Sequence, residues 1–269
     1  MSDLIQPDPR AWALLLILLS PAIGSFLAVL VDRLPRGESI LWPGSTCRSC
    51  DTRLGLRDLL PVLSFLLGRG RCRHCGAIIP SWHLYVELAA IGLALLALAL
   101  GGPSVAIALT ALVLWLLLAL IVCDLLWFRL PDGLTAVLGL AALTRAGLVP
   151  MGQVPPPAHP LLPNSLSEAL IGGAIGCVSF WLIRIFYQYI RNRLGLGLGD
   201  VKLMASLGAL VGPWLLPHLV LAASLMALSA AAGMALLRRR ALSGTRPLPF
   251  GAALSLAAAL IWVIARIPN

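Results

Sequence analysis

Four cysteines and two aspartates are the residues of this chain whose types and spacing could do chemistry. Cys47-Arg-Ser-Cys50 and Cys72-Arg-His-Cys75 give the pattern C-x2-C-x21-C-x2-C. Each C-x-x-C can turn two thiolates toward one point, and two such knuckles complete a tetrahedral sulfur shell of the kind that holds structural zinc. A filled shell leaves no position for water, so the expected zinc is structural rather than catalytic. Cys123 and Cys177 stand alone in apolar segments, where a thiol serves as a small buried hydrophobe.

Beyond the cysteine segment the acids are Glu87, Asp124, Asp132, Glu168 and Asp200. Asp124 closes one apolar run in Cys123-Asp124-Leu125-Leu126-Trp127-Phe128-Arg129-Leu130-Pro131-Asp132, and Asp200 precedes another in Gly195-Leu196-Gly197-Leu198-Gly199-Asp200-Val201-Lys202. Two carboxylates that approach one another can share a proton and activate water between them. Glycines at 195, 197 and 199 would let backbone or an extended peptide come close to Asp200. Asp132 follows Pro131 and also reads as an acid welcomed at a helix start, while Glu168, behind Pro163 and Asn164, reads as an acid at the outer end of a span, solvated by headgroups. Glu87 is expected near one membrane surface, facing either a substrate's ammonium or an arginine of the cysteine segment.

The elements that must position these residues are membrane helices. Of 269 residues 59% are hydrophobic and 12% charged, with mean hydropathy +0.94. A water-soluble domain carries about 25% charged residues. Segments of about 20 apolar residues are needed to span a bilayer. The candidates are Ala11–Val31, Leu84–Leu100, Val105–Cys123, Leu134–Leu148, Leu166–Tyr187, Leu203–Leu216, Leu219–Leu237 and Gly251–Ile267. The first run lacks the basic start of a cleaved secretory signal and reads as a retained span. The expected fold is therefore an all-α polytopic membrane protein of about eight helices, with a small zinc ribbon inserted between the first and second. The expected division is 1–31 for the first helix, 32–83 for the ribbon domain and 84–269 for the remaining membrane domain.

Charge placement orients it. The net charge of +9 is not a nucleic-acid signature, because 16 of the 20 basic residues fall in the alternate loops 32–83, 124–133, 188–202 and 238–250. Under the positive-inside rule those loops are cytoplasmic and the N-terminus is not. A reducing cytoplasm argues against pairing the four ribbon cysteines as disulfides. Both aspartates then lie at the cytoplasmic face of the lipid bilayer. No nucleic-acid partner is expected.

These residues carry a resemblance. Gly197-Leu198-Gly199-Asp200-Val201-Lys202 resembles the G-x-G-D-x-K signature of type IV prepilin peptidases, and Asp124 to Asp132 resembles their D-x5-L-P-D segment. Gly24-Ser25-Phe26-Leu27, Arg33-Leu34-Pro35, Asp58 to Phe65, Arg69-Gly70-Arg71-Cys72, Val86-Glu87-Leu88 and Pro249-Phe250-Gly251 are similar to further motifs of that family, in order along nearly the whole chain.

The resemblance implies a bifunctional enzyme of the bacterial inner membrane. It would cut the leader of type IV prepilins or type II secretion pseudopilins after a glycine at the cytoplasmic face. It would then methylate the new N-terminus with S-adenosylmethionine. By position Asp124 and Asp200 become the peptidase pair and Cys47, Cys50, Cys72 and Cys75 the zinc ligands. Gly197, Gly199, Lys202, Asp132, Glu87 and Gly70 become supporting or substrate-facing residues. Ala28, Leu59 and Trp82-His83-Leu84 depart from the family pattern, all in the half associated with methyl transfer. A peptidase without methyl transfer is therefore an alternative. A non-enzymatic ribbon-bearing scaffold or transporter is an alternative of another class.

Overall fold

The computed structural model describes residues 9–42, 44–55, 57–157, 159–192, 195–237 and 248–267. These residues form helices and loops, with two isolated bridges and no strand among them. Two compact units divide the chain, residues 1–111 and 112–269.

In the first unit α1 (Pro9–Arg33) packs against α3 (Trp82–Leu100). Their buried faces are largely apolar, Leu27, Ala28 and Val31 on α1 and Val86, Ala90, Ala94 and Ala97 on α3, with small alanines at four of these positions. Small residues let helix backbones approach where lipid supplies no hydrophobic drive to associate. The segment between them holds a short 3-10 turn, the five-residue helix α2 (Leu63–Leu67) and two copies of one turn. In the first copy Asp51 N–H donates to Cys47 O and Cys47 N–H to Thr52 O; in the second Gly76 N–H donates to Cys72 O and Cys72 N–H to Ala77 O. Bridges Thr46–Arg53 and Arg71–Ile78 close the two copies at matching positions.

The second unit contains most of α4 (Ser104–Trp127), then α5 (Asp132–Leu148), α6 (Leu166–Arg191), α7 (Leu198–Val211), α8 (Leu216–Leu237) and α9 (Phe250–Ile264). The tightest pair is α6 with α7. A Cβ on Gly172 or Gly176 of α6 would collide with the carbonyls of Gly208 and Met204 on α7, and one on Gly208 with that of Gly172. Gly172-x3-Gly176 is thus a small-residue seam that allows near backbone contact. Opposite it, α6 exposes Ile171, Val178, Trp181, Leu182 and Phe186, a surface suited to lipid and not to water.

Helices α1, α3, α4, α6 and α8 are long and apolar enough to cross a membrane, so the chain is a multi-pass membrane protein. Every expected apolar run contains a helix, although Leu203–Leu216 runs past the end of α7 at Val211. However, α5, α7 and α9 have 17, 14 and 15 residues, short of a full crossing by length alone. The sixth and seventh runs belong to two separate helices, divided at Gly212 with φ 80° and Pro213. Arg193 and the basic run 238–247, both used to orient the chain, lie outside the described residues, as do residues 1–8.

Candidate active site

Asp124 occupies the last turn of α4 and is only 6% exposed. A carboxylate at a helix C-terminus opposes its own helix dipole. Here the compensation comes from another helix: Asp124 Oδ2 accepts the Ala252 N–H at 2.7 Å, in the first turn of α9. After Trp127 the chain turns through Phe128 at φ 51°, a left-handed position rare for an aromatic residue. Phe128 N–H closes this turn on Asp124 O at 3.0 Å.

Asp200 lies in the first turn of α7, two residues inside the helix and not ahead of it as expected. The helix starts early because Gly197 is extended, with φ −71° and ψ 149°, and Asp200 Oδ2 accepts the Gly197 N–H at 3.3 Å. An acid three residues past the cap satisfies an orphan donor and meets the positive end of the dipole. The carboxylate therefore has a local structural role whatever else it does. Arg184 of α6 donates to Leu196 O at 2.5 Å and fixes the approach to this turn.

One side chain unites the segments. A Cβ on Gly199 would meet Leu130 Cβ at 3.2 Å, and one on Gly251 would lie 2.8 Å from Leu130 Cδ1 and 3.1 Å from Asp124 Oδ2. The stretch 124–132, the glycine-aspartate turn and the Pro249-Phe250-Gly251 start of α9 thus converge on Leu130. Asp124 and Asp200 lie within electrostatic reach of each other. The role of Gly251 and Ala252 had no signal in the sequence beyond the Pro-Phe-Gly match, because a main-chain donor has no residue type.

The supporting residues divide. Asp132 starts α5 and pairs with Lys202 Nζ at 2.7 Å, both side chains largely exposed. Buried Ser206, one turn beyond Lys202, donates to Thr135 O at 2.7 Å and locks α5 to α7. Glu168 stays at the start of α6, accepting the Asn164 N–H at 2.8 Å.

Glu87 belongs to the first unit. It is 9% exposed and bonds neither a ribbon arginine nor any other cation among the described residues. Its Oε2 accepts the Val62 N–H at 2.7 Å, and Ser25 hydrogen-bonds the same carboxyl, so α1, α3 and the entry to α2 meet there. Val62 sits at φ 61°, strained for a β-branched residue. Gly70 is buried at φ 65°, and a Cβ there would press on the Phe65 ring at 3.0 Å.

The four ribbon cysteines are free thiols whose sulfurs all lie within 4.8 Å of one another. Cys47 Sγ and Cys75 Sγ are 3.8 Å apart, matching the edge of about 3.8 Å that a tetrahedron with metal–sulfur bonds of about 2.3 Å requires. The set is thus arranged to hold one metal ion. Arg48, inside the first knuckle, pairs with Glu38 at 2.8 Å and with Asp32 at the end of α1, while Arg73 pairs with Asp58 at 3.3 Å. Arg48 holds the Glu38 carboxyl below the ordinary carboxylate range.

Residues 18–100 match the bacterial peptidase A24 N-terminal domain, and residues 111–232 match the type IV leader peptidase family. A prepilin leader peptidase/N-methyltransferase of Dickeya chrysanthemi is 34% identical, the alignment covering 94% of this chain and 92% of the relative. The chain belongs to the type IV leader peptidase family. Another member, the prepilin leader peptidase/N-methyltransferase of Klebsiella pneumoniae, is 35% identical over 80% of this chain and 92% of its own. A type 4 prepilin-like proteins leader peptide-processing enzyme of Escherichia coli O78:H11 is 34% identical over 94% of each. No solved structure matches.

Proposed function

We propose that the chain removes the leader of type IV prepilins or type II secretion pseudopilins and methylates the amine so released. The observation that carries this reading is the buried Asp124, anchored by a main-chain N–H of α9 and within electrostatic reach of Asp200. The two carboxylates act as a dyad. One takes a proton from water as the oxygen attacks the scissile carbonyl, and the other protonates the carbonyl oxygen. Collapse of the tetrahedral intermediate breaks the C–N bond after a leader glycine, and the departing amine takes up a proton. Leu130, Gly199 and Gly251 keep the two aspartate segments close. Asp132 and Lys202 brace the rim.

The ribbon cysteines hold zinc in a structural role, with S-adenosylmethionine as the methyl-donor co-substrate. Residues 32–83 are a ribbon domain inserted between membrane helices 1–31 and 84–269, and the short helices complete eight spans. The N-terminus is non-cytoplasmic and the aspartates face the cytoplasm of a bacterial inner membrane. An impermeant thiol reagent should label Pro157→Cys in intact cells and spare Gly37→Cys; the reverse pattern rejects this orientation.

The direct test incubates membranes containing the protein with a prepilin and S-adenosylmethionine and reads the product N-terminus by mass spectrometry. Cleavage after glycine with one added methyl group is expected. Cleavage without methyl addition selects the peptidase-only reading that Ala28, Leu59 and Trp82-His83-Leu84 favour. An uncut substrate selects a non-enzymatic scaffold or transporter.

A further inference from the structure

Far from the aspartates, the second unit buries a positive cluster. Arg145, in the last turn of α5, is 3% exposed, and its Nε and Nη2 are buried without a hydrogen-bond partner. Trp262, near the end of α9, is 0% exposed, and its Nε1 is likewise unpartnered. The Arg145 guanidinium lies 5.8 Å from the Trp262 ring centroid, and that of Arg266 lies 4.7 Å from it. Two cations thus share one indole, beside three orphaned N–H-bearing nitrogens.

The acidic side chains among the unit's described residues do not answer Arg145. They are Asp124, Asp132, Glu168 and Asp200. Asp132 begins α5, about 20 Å along the helix from Arg145 at 1.5 Å per residue. Asp124 is bonded at the start of α9, about 15 Å along that helix from Trp262. Asp200 is bonded at Gly197, and Glu168 at Asn164. Cation–π attraction offsets part of the desolvation but leaves the in-plane donors of Arg145 unmet. A buried, uncompensated guanidinium is costly, and an ionisable group at membrane depth marks a ligand or a pathway by default.

We propose that Arg145, Trp262 and Arg266 form a binding site for a phosphate-class anion, such as the headgroup of an acidic phospholipid. A planar fork of Arg donors matches phosphate oxygens, and the indole N–H adds a further donor. Basic pockets between membrane helices take anionic headgroups in the same manner. The site is separate from the cleavage chemistry and does not depend on it.

The test uses the full-length protein in neutral detergent. Its unfolding midpoint is measured with phosphatidylglycerol, phosphatidylcholine or inorganic phosphate added, and lipid adducts are counted by native mass spectrometry. Phosphatidylglycerol should raise the midpoint by a few degrees and persist as an adduct, and phosphatidylcholine should do neither. An equal shift with inorganic phosphate identifies a free anion as the occupant; a shift with the lipid alone identifies the headgroup. Arg145→Leu should abolish the response without lowering the lipid-free midpoint, because it removes an uncompensated charge. Should Arg145→Leu not fold, Trp262→Phe keeps the ring, loses the N–H and should weaken the response several-fold. An unchanged response in both variants, or none from either phosphate source in the parent protein, overturns the site.

Discussion

The ribbon and the aspartate site are built in opposite ways. The ribbon repeats one local turn twice, with residues 46–53 and 71–78 placing their main-chain bonds and bridges at equivalent positions. Nearly everything each knuckle needs lies within eight residues of chain. The aspartate site draws on segments near 124–132, 197–200 and 249–252, and its key contact, Asp124 to Ala252 N–H, spans 128 residues. Local geometry can be read from spacing. A site assembled by tertiary packing has to be read from packing.

If the comparison holds, damage to the distributed site should be all-or-none for cleavage while the ribbon survives. Asp124→Asn or Asp200→Asn should each lower cleavage by about 10^4-fold or more, since an amide cannot hold the proton that each role needs. Expression and zinc content should stay at parental values. Loss of zinc in either variant would mean that the two regions are not independent.

The reverse experiment breaks the ribbon. Cys50→Ser or Cys72→Ser should take metal from about one ion per chain to none by elemental analysis, because metal binding supplies most of a small ribbon's folding energy. Methyl transfer should disappear while cleavage continues. A milder form is Gly70→Glu, which puts a side chain at φ 65° against Phe65 and should lower methylation well below cleavage. Equal loss of both in a folded protein would dissolve the separation.

Much of this was legible beforehand. The C-x2-C pairs announced their sulfur cluster, because a knuckle is a local turn. The apolar runs announced their helices, and Pro131 announced the start of α5. What stayed hidden has physical reasons. The start of α7 was placed late because Gly197 and Gly199 look like loop residues, yet an N-cap glycine and Asp200 begin the helix there. A ribbon arginine was one expected partner of Glu87, but among the described residues its carboxyl meets Ser25 and the N–H of Val62, whose strain no propensity predicts. Leu130 is one leucine among many, and only packing singles it out.

Leu130 gives the comparison a graded test. Gly251→Ala places a methyl 2.8 Å from Leu130 Cδ1 and 3.1 Å from Asp124 Oδ2. Misplacement by a fraction of an ångström there should lower cleavage by about 10- to 100-fold. Methylation of an already-cut substrate should be unchanged. Smaller again is Asp132→Asn: its pair with Lys202 is exposed, and exposed pairs contribute about 0–1 kcal/mol. Cleavage within about threefold of the parent is expected; a dead Asp132→Asn would reassign the first catalytic acid.

The central claim is that Asp124 and Asp200 form one catalytic unit, and residual activity in their double variant tests it most directly. Single-turnover cleavage of a prepilin is measured for Asp124→Asn, Asp200→Asn and the combination, in protein of verified zinc content. Residues that act together are strongly non-additive, so the double variant should be no slower than the slower single. Multiplying losses, with each single retaining its own measurable share of cleavage, would contradict the account.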